Sequence, residues 1–428
     1  MNTPVSAEEL LALKAAYLVP CVYHFYKRPP VMVAGEGAYL IDSEGRRYLD
    51  CYSGVTVTSA GHGNPEIVDA AINQLRRLQH TTTIYLTEPM FRLAERLATI
   101  APGSLDRTFF CASGSEANEA AILLATLATG RRGVIALTDS LHGRTKWAMS
   151  ATGLPMWRTD AFPLDDVRFA PHPFCACCPV GASFPTCDYA CVARMDACIR
   201  EMGPENIAAI IAEPIQGNGG IIVPPDGYWR RVRELCDRHA ILLIFDEVQT
   251  AMNRTGRWFA SEHWDVVPDI VTMAKALGNG FPVAAVIATS AVAQAYTRPG
   301  AATFGANPVA CAAALAAIAY HERERLGERA RRLGAILRDG LDQLALRCPC
   351  LTRVRGKGLM IAADVVDESG AADPVRCDAV LERLKDDGFL VGKTGRGRNT
   401  LTFMPPLIIE EADVGRLLDA LDAAINRR

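Results

Sequence analysis

Leu243-Ile-Phe-Asp-Glu-Val-Gln-Thr250 begins apolar and stops abruptly at an acidic pair, Asp246-Glu247. A second run, Pro268-Asp-Ile-Val-Thr-Met-Ala-Lys-Ala-Leu-Gly-Asn-Gly280, has a strand-like part from Asp269 to Met273. It ends in a lone lysine, Lys275, ahead of a Gly-rich turn. Strands finishing in a carboxylate and in an amine set two opposite charges at one edge of a sheet. That is the edge at which open α/β sheets bind ligands. Taken singly, the first stretch reads equally well as a helix cap and the second as a solvated loop lysine. Together, and with the anion-binding turn described below, they point to a site.

Outward from these strands the pattern is regular. Helical stretches (65–78, 87–100, 116–129, 225–239) alternate with short apolar strands (107–111, 133–137, 207–212, 241–245, 270–273, 283–288). Such alternation predicts a mainly parallel sheet covered by helices on both faces. Ala7 to Leu18 is expected to form a short amphipathic helix. Val31 to Asp50 reads as a small meander, with turns at Gly35–Gly37 and Asp42–Gly45. An Ala-rich helix follows Asn307 and a charged helix lies around 322–346. Strands near 351–365 and 400–404, with helices near 375–388 and 410–426, complete an α+β unit. The expected division is 1–55 and 311–428 as the two parts of a smaller domain, with 56–310 as the large one.

With 428 residues the chain is long enough for two domains, and 50% hydrophobic with 22% charged residues is ordinary for a soluble enzyme. A net charge of −3 offers no attraction to nucleic acid or to an anionic membrane. No apolar run approaches a membrane span of about 20 residues. Met1 to Glu9 is polar and acidic, unlike a secretory or transit signal, so the cytoplasm is the expected compartment.

Phe109-Phe-Cys-Ala-Ser-Gly-Ser-Glu-Ala-Asn-Glu-Ala-Ala121 reads as a strand, a Ser-Gly-Ser turn and a helix start. Glycine lets a backbone approach a ligand, and free amides at a helix N-terminus favour an anion. Ser113, Gly114 and Ser115 therefore make a phosphate cup, compatible with Ser113 also capping the helix and Glu116 closing a capping box. A phosphate cup, a strand-end carboxylate and a strand-end lysine suit pyridoxal 5'-phosphate. Asp246 would keep the ring nitrogen protonated. Val248, two residues on along an extended chain, would press on the ring, and Gln249 would reach its hydroxyl. Lys275 would carry the aldehyde as a Schiff base and then move the proton as general acid and base.

Seven segments carry a family resemblance: Ser113-Gly-Ser-Glu-Ala-Asn118, His142-Gly-Arg-Thr145, Glu213-Pro-Ile-Gln-Gly217, Asp246-Glu-Val-Gln-Thr250, Ala274-Lys-Ala-Leu-Gly-Asn-Gly280, Thr303-Phe-Gly-Ala-Asn-Pro308 and Arg355-Gly-Lys-Gly-Leu-Met360. In this order the chain resembles the class III (ω-) aminotransferases, pyridoxal-phosphate enzymes of fold type I. The wording at His80-Thr-Thr-Thr83, Asp269–Lys275 and Val354–Met360 is most similar to the alanine–glyoxylate and β-aminoisobutyrate enzymes, with the 4-aminobutyrate type close behind. The resemblance implies amino transfer from an amine or ω-amino acid to a small oxo-acid (pyruvate, glyoxylate or 2-oxoglutarate). It implies Leu141 and His142 beside the ring. It also implies Thr303 reaching the phosphate of a neighbouring subunit, in a homodimer or dimer of dimers.

Three positions depart from that family. Leu141 stands where an aromatic residue usually stacks on the ring, Asn218 where a glutamate often follows Gln-Gly, and Thr402 where many members carry an arginine for the substrate α-carboxylate. Losing both members of a glutamate–arginine gate avoids leaving one charge unpaired in a desolvated pocket. Arg396 or Arg398, on the Gly395–Gly397 loop, could serve instead. Tyr85, Arg144, Asn218, Arg398 and Thr402 are the candidate substrate positions. A racemase, epimerase or lyase on the same cofactor is the closest rival activity, and a non-catalytic binding protein on the same fold the remote one.

Of fourteen cysteines, six crowd into residues 175–198. Cys175, Cys178, Cys187 and Cys191 have the spacing C-x2-C, eight residues, C-x3-C, which can close a tetrahedral zinc site. A loop of reduced thiols with no metal is the expected state, zinc and a set of disulfides being the alternatives.

Overall fold

The computed structural model describes residues 5–427, so Met1–Pro4 of the expected N-terminal segment lie outside it. In chain order the strands are β1 (Met32–Glu36), β2 (Tyr39–Asp42), β3 (Arg47–Asp50), β4 (Leu105–Cys111), β5 (Gly133–Leu137), β6 (Val167–Ala170), β7 (Ile207–Ala212) and β8 (Leu242–Asp246). They continue with β9 (Ile270–Met273), β10 (Ala284–Thr289), β11 (Leu351–Lys357), β12 (Met360–Val365), β13 (Phe389–Leu390), β14 (Gly392–Thr394) and β15 (Thr400–Phe403). Seven of them form the central sheet in the order β4-β10-β9-β8-β7-β5-β6. The chain is α/β, and only β10 runs against its two neighbours.

Both faces of this sheet are covered. Ile210, Leu243, Phe245, Val271 and Met273 enter the core on one side. Ile211, Ile244, Ile270 and Val286 enter a separate core on the other. Burial on two faces is why these strands read as unbroken apolar runs rather than alternating ones. β6 escaped the sequence pattern because its four residues, Val-Arg-Phe-Ala, place a charge mid-strand at the sheet edge.

A third core unites the chain ends: Ala38, Leu49 and Cys51 pack with residues from Leu326 to Ile425. Two four-stranded sheets frame it, β1-β2-β3-β13 and β11-β12-β15-β14. In the first, β13 pairs parallel with β3 and so joins the two ends directly. The helix Pro308–Arg323 still packs with the central sheet. Arg254, fully buried, ties three remote stretches together: it donates to Ser59 Oγ (2.8 Å), Leu359 O (3.0 Å) and Pro405 O (2.6 Å).

One expectation is corrected. Ala7–Tyr17 is helical but buries no residue, because its apolar side chains are spread around the axis rather than gathered on one face; Leu10, Leu13 and Tyr17 are all exposed. Among the described residues no group of three or more His, Cys, Asp or Glu side chains is placed to hold a metal, and all fourteen cysteines are free thiols. Cys175, Cys178, Cys187 and Cys191 do share one small recess, but with Phe174, Val180 and Phe184. Burial there raises the Cys175 and Cys191 thiols above their ordinary range, Cys191 to about 11. No helix among the described residues is long and apolar enough to cross a membrane.

Candidate active site

Three adjacent parallel strands deliver the charges. Glu213 follows the last residue of β7, Asp246 ends β8, and Lys275 lies two residues beyond β9. All three line one cavity of about 370 Å³, together with Ser113, Gly114, Ser115, Leu141, His142, Val248 and Gln249. The size and the mix of apolar wall with few polar groups suit a small cofactor.

At one end of the cavity, the helix Gly114–Thr129 starts with a capping box. Ser113 Oγ accepts from Glu116 N, while Glu116 Oε2 accepts from the amides of Ala112 (2.8 Å) and Ser113 (3.0 Å). The next two amides, of Gly114 and Ser115, lie in the first turn and have no intrahelical carbonyl to meet. A Cβ on Gly114 would stand 2.9 Å from Val248 Cγ1, so only glycine lets this turn and the Val248 wall close together. Val248 reaches that place by a turn, not by the extended chain expected: its amide folds back onto Asp246 Oδ1 at 3.1 Å.

At the other end, Asp246 is buried and tightly held. Its Oδ2 accepts from His142 Nδ1 at 2.8 Å and from Asn118 Nδ2 at 2.7 Å. Between the two ends stands Lys275, buried and with φ +50, in the sparsely used left-handed region. Burial lowers its amine from 10.5 to about 8, opposed by Asp246 and Glu213. A neutral amine near physiological pH is the nucleophilic form.

Glu213, part of a quoted motif but given no role from sequence, also faces the cavity. It accepts from the amides of Leu141 (2.9 Å) and Gly217 (2.8 Å), and burial raises it to about 7, with Asp246 adding to the shift and His142 opposing it. The signal that could have found it is the strand-end rule that found Asp246 and Lys275. Asn118 was equally missed, because a polar residue one turn into a helix carries no sequence mark of its partner. Gln249 is buried, and Gly217 packs against its amide.

The substrate candidates are less gathered. Arg144 is exposed beside the phosphate cup, its amide donating to Ser115 Oγ at 3.0 Å. Tyr85 and Thr303 are exposed and do not line the cavity of this chain. Thr402 is fully buried on β15, against Gly392. Asn218 O accepts from Gly395 N at 2.9 Å, which ties the 395–398 loop to the turn after Gly217, and neither lines the cavity. On that loop Arg396 is engaged by Asp139 (2.6 Å), whereas the Arg398 guanidinium lies over the rings of Tyr23 and Phe25.

The class III aminotransferase family profile matches residues 25–425. This chain belongs to that family. It is 36% identical, over 99% of its own length and 89% of the relative, to alanine–glyoxylate aminotransferase 2 homolog 2 of Arabidopsis thaliana. It is 37% identical to the acetylornithine aminotransferase of Methanothermobacter thermautotrophicus, over 99% of this chain and all of the relative. Among solved structures it resembles an amine transaminase from an uncultivated Pseudomonas species in a pyridoxal-phosphate-bound form. The TM-score there is 0.88 at 32% identity, covering 93% of this chain and 95% of that one.

The cofactor of the family, pyridoxal phosphate, fits the residues present. The cup at Gly114 would be filled by any Cβ, and His142 Nε2 is a buried polar atom with no partner. The donors, carboxylates and lysine match its phosphate, ring nitrogen and aldehyde. When bound, it supplies an aldehyde for amines and a ring that accepts electrons from the substrate carbon.

Proposed function

We propose that this class III aminotransferase takes its amino group from an amine or an ω-amino acid and passes it to a small oxo-acid such as pyruvate, glyoxylate or 2-oxoglutarate. One observation carries the donor class: among the residues lining the cavity the charged ones are Glu213, Asp246 and Lys275, and none is an arginine. A carboxylate on the reacting carbon would meet no fixed cation there, whereas a carboxylate farther along the substrate would find Arg144 at the rim. Ser113, Gly114 and Ser115 hold the phosphate in this reading. Asp246 holds the ring nitrogen, Leu141 and Val248 cover the two ring faces, Gln249 meets the ring hydroxyl, and Lys275 transfers the proton.

The same reading makes the enzyme a cytoplasmic homodimer or dimer of dimers. Ile84, Tyr85, Leu86 and Phe304 are large and exposed, and Phe304 packs on His80 at 5.3 Å, which sets them beside Thr303 on one apolar face. A face of that kind suits a second copy, whose Thr303 would complete the cup.

The test uses holoenzyme with a panel of amines, ω-amino acids and α-amino acids, read by the cofactor's absorbance. Loss with donor alone and return with oxo-acid supports amino transfer, and α-amino acids should be the poorest donors. Loss of substrate α-deuterium without oxo-product would instead make the enzyme a racemase.

A further inference from the structure

We propose that Asn118, held in turn by Thr272, is a positioning residue that sets the Asp246 carboxylate for the cofactor's ring nitrogen. The inference rests on the cofactor's presence and not on which amine is the donor.

Asn118 is buried one turn into the helix whose first turn makes the phosphate cup. Its amide nitrogen divides two hydrogens between His142 O (2.7 Å) and Asp246 Oδ2 (2.7 Å), and its amide oxygen accepts from Thr272 Oγ1 at 2.7 Å. That network fixes the amide's direction. Turned over, it would set an oxygen against a carboxylate and a carbonyl, losing both of those bonds, whereas the Thr272 hydroxyl can meet either end. Thr272 is itself fixed. It is buried on β9 in register with Asp246 on the neighbouring strand, and its carbonyl takes the Glu247 amide at 3.1 Å.

The consequence falls on Asp246. Its Oδ2 receives two donors, from Asn118 and His142, and both are satisfied only while that oxygen carries no proton. Its Oδ1 meets only the Val248 amide, at 3.1 Å, and keeps lone-pair capacity toward the cavity. The pair of donors thus decides which oxygen faces the ring. One helix holds the cofactor at both ends: the phosphate through its first-turn amides, and the ring nitrogen through Asn118 acting on Asp246. Small misplacements of such a preorganised group are expensive in rate.

The experiment loads pyridoxal phosphate labelled with nitrogen-15 in the ring into wild type, Asn118→Leu, Thr272→Val and Thr272→Ser. The ring-nitrogen resonance is followed against pH with no amine present, beside kcat with any accepted donor. In Asn118→Leu the pH of half-protonation should fall by about one unit or more, a tenfold change in the equilibrium, with kcat reduced at least about tenfold. Thr272→Val should move the resonance the same way by less, and Thr272→Ser, which keeps the hydroxyl, should restore it. A resonance that titrates as in wild type in both Asn118→Leu and Thr272→Val would overturn the proposal, whatever happens to thermal stability. If Asn118→Leu does not fold, Thr272→Val against Thr272→Ser decides alone. No amine enters the resonance measurement, so an error in the donor class would leave this result standing.

Discussion

The floor of the cavity and its rim are built on different terms. On the floor, Asp246, Glu213, His142 and Asn118 are buried and hydrogen-bonded around the desolvated Lys275, and each comes from a strand end, a helix start or the loop beside them. Outside the floor, Arg144 is exposed beside the cup, Tyr85 and Thr303 are exposed away from the cavity of this chain, Arg398 rests on aromatic rings, and no ion pair among the described residues fixes Arg144 or Arg398. Chemistry that must not vary sits where packing leaves no freedom. In the proposed function recognition falls to residues such as Arg144, where side chains are free to move.

The sharpest way to break that contrast is Lys275→Ala. Activity should fall by roughly four orders of magnitude or more, as expected when a covalent catalyst is removed. Borohydride treatment of wild type should fix the cofactor on the Lys275 peptide, and label on any other lysine would move the centre elsewhere. Asp246→Asn should cost about a thousandfold in kcat while the cofactor is still retained. A variant within tenfold of wild type would mean the acidic partner is another residue.

Loading of the apoenzyme should depend on pH. Burial sets Lys275 near 8 instead of 10.5, so the rate of covalent capture should climb as pH passes through about 8. Between these values the unfolded chain still holds a proton that the folded one has released, so apoenzyme stability should rise with pH across that window. A stopped-flow capture rate that keeps climbing about tenfold per pH unit past pH 9, with no levelling above 8, would show that the lysine is not desolvated. Gly114→Ala inserts a Cβ 2.9 Å from Val248 Cγ1 and should weaken cofactor affinity about tenfold, measured by equilibrium dialysis. Smallest of all, Thr303→Ala should weaken retention a few-fold, by the loss of one hydrogen bond. That effect should vanish at dilutions where analytical ultracentrifugation shows a monomer.

Most of the floor was legible in the sequence, because its signals are local. An apolar run ending in a carboxylate, another ending in a lysine and a Ser-Gly-Ser helix start each declare themselves within a few residues. The order of strands, the reversal of β10 and the edge strand β6 were not, since they depend on pairing between segments far apart. Glu213 obeyed the same strand-end rule, yet its Pro-Ile-Gln-Gly sequel drew attention to the turn rather than to the carboxylate. Asn118 was invisible for a different reason: its partners Asp246 and Thr272 lie 128 and 154 residues away. The cysteine spacing left ligation open beside reduced thiols because thiols lining a recess with Phe174 and Phe184 serve as small apolar groups, a role that spacing cannot distinguish from ligation.

Arg254 has a consequence of another kind. Its guanidinium is the shared fastening of Ser59 with Leu359 and Pro405, which lie hundreds of residues further along the chain, and burial lowers it to about 9. Opening any one of the three strands the others' acceptors away from water, so none gives way alone. Heat or denaturant should therefore meet the central sheet and the assembly of chain ends as one cooperative body, melting in a single step, and the seam between them is where a second step would first appear if that cation were lost.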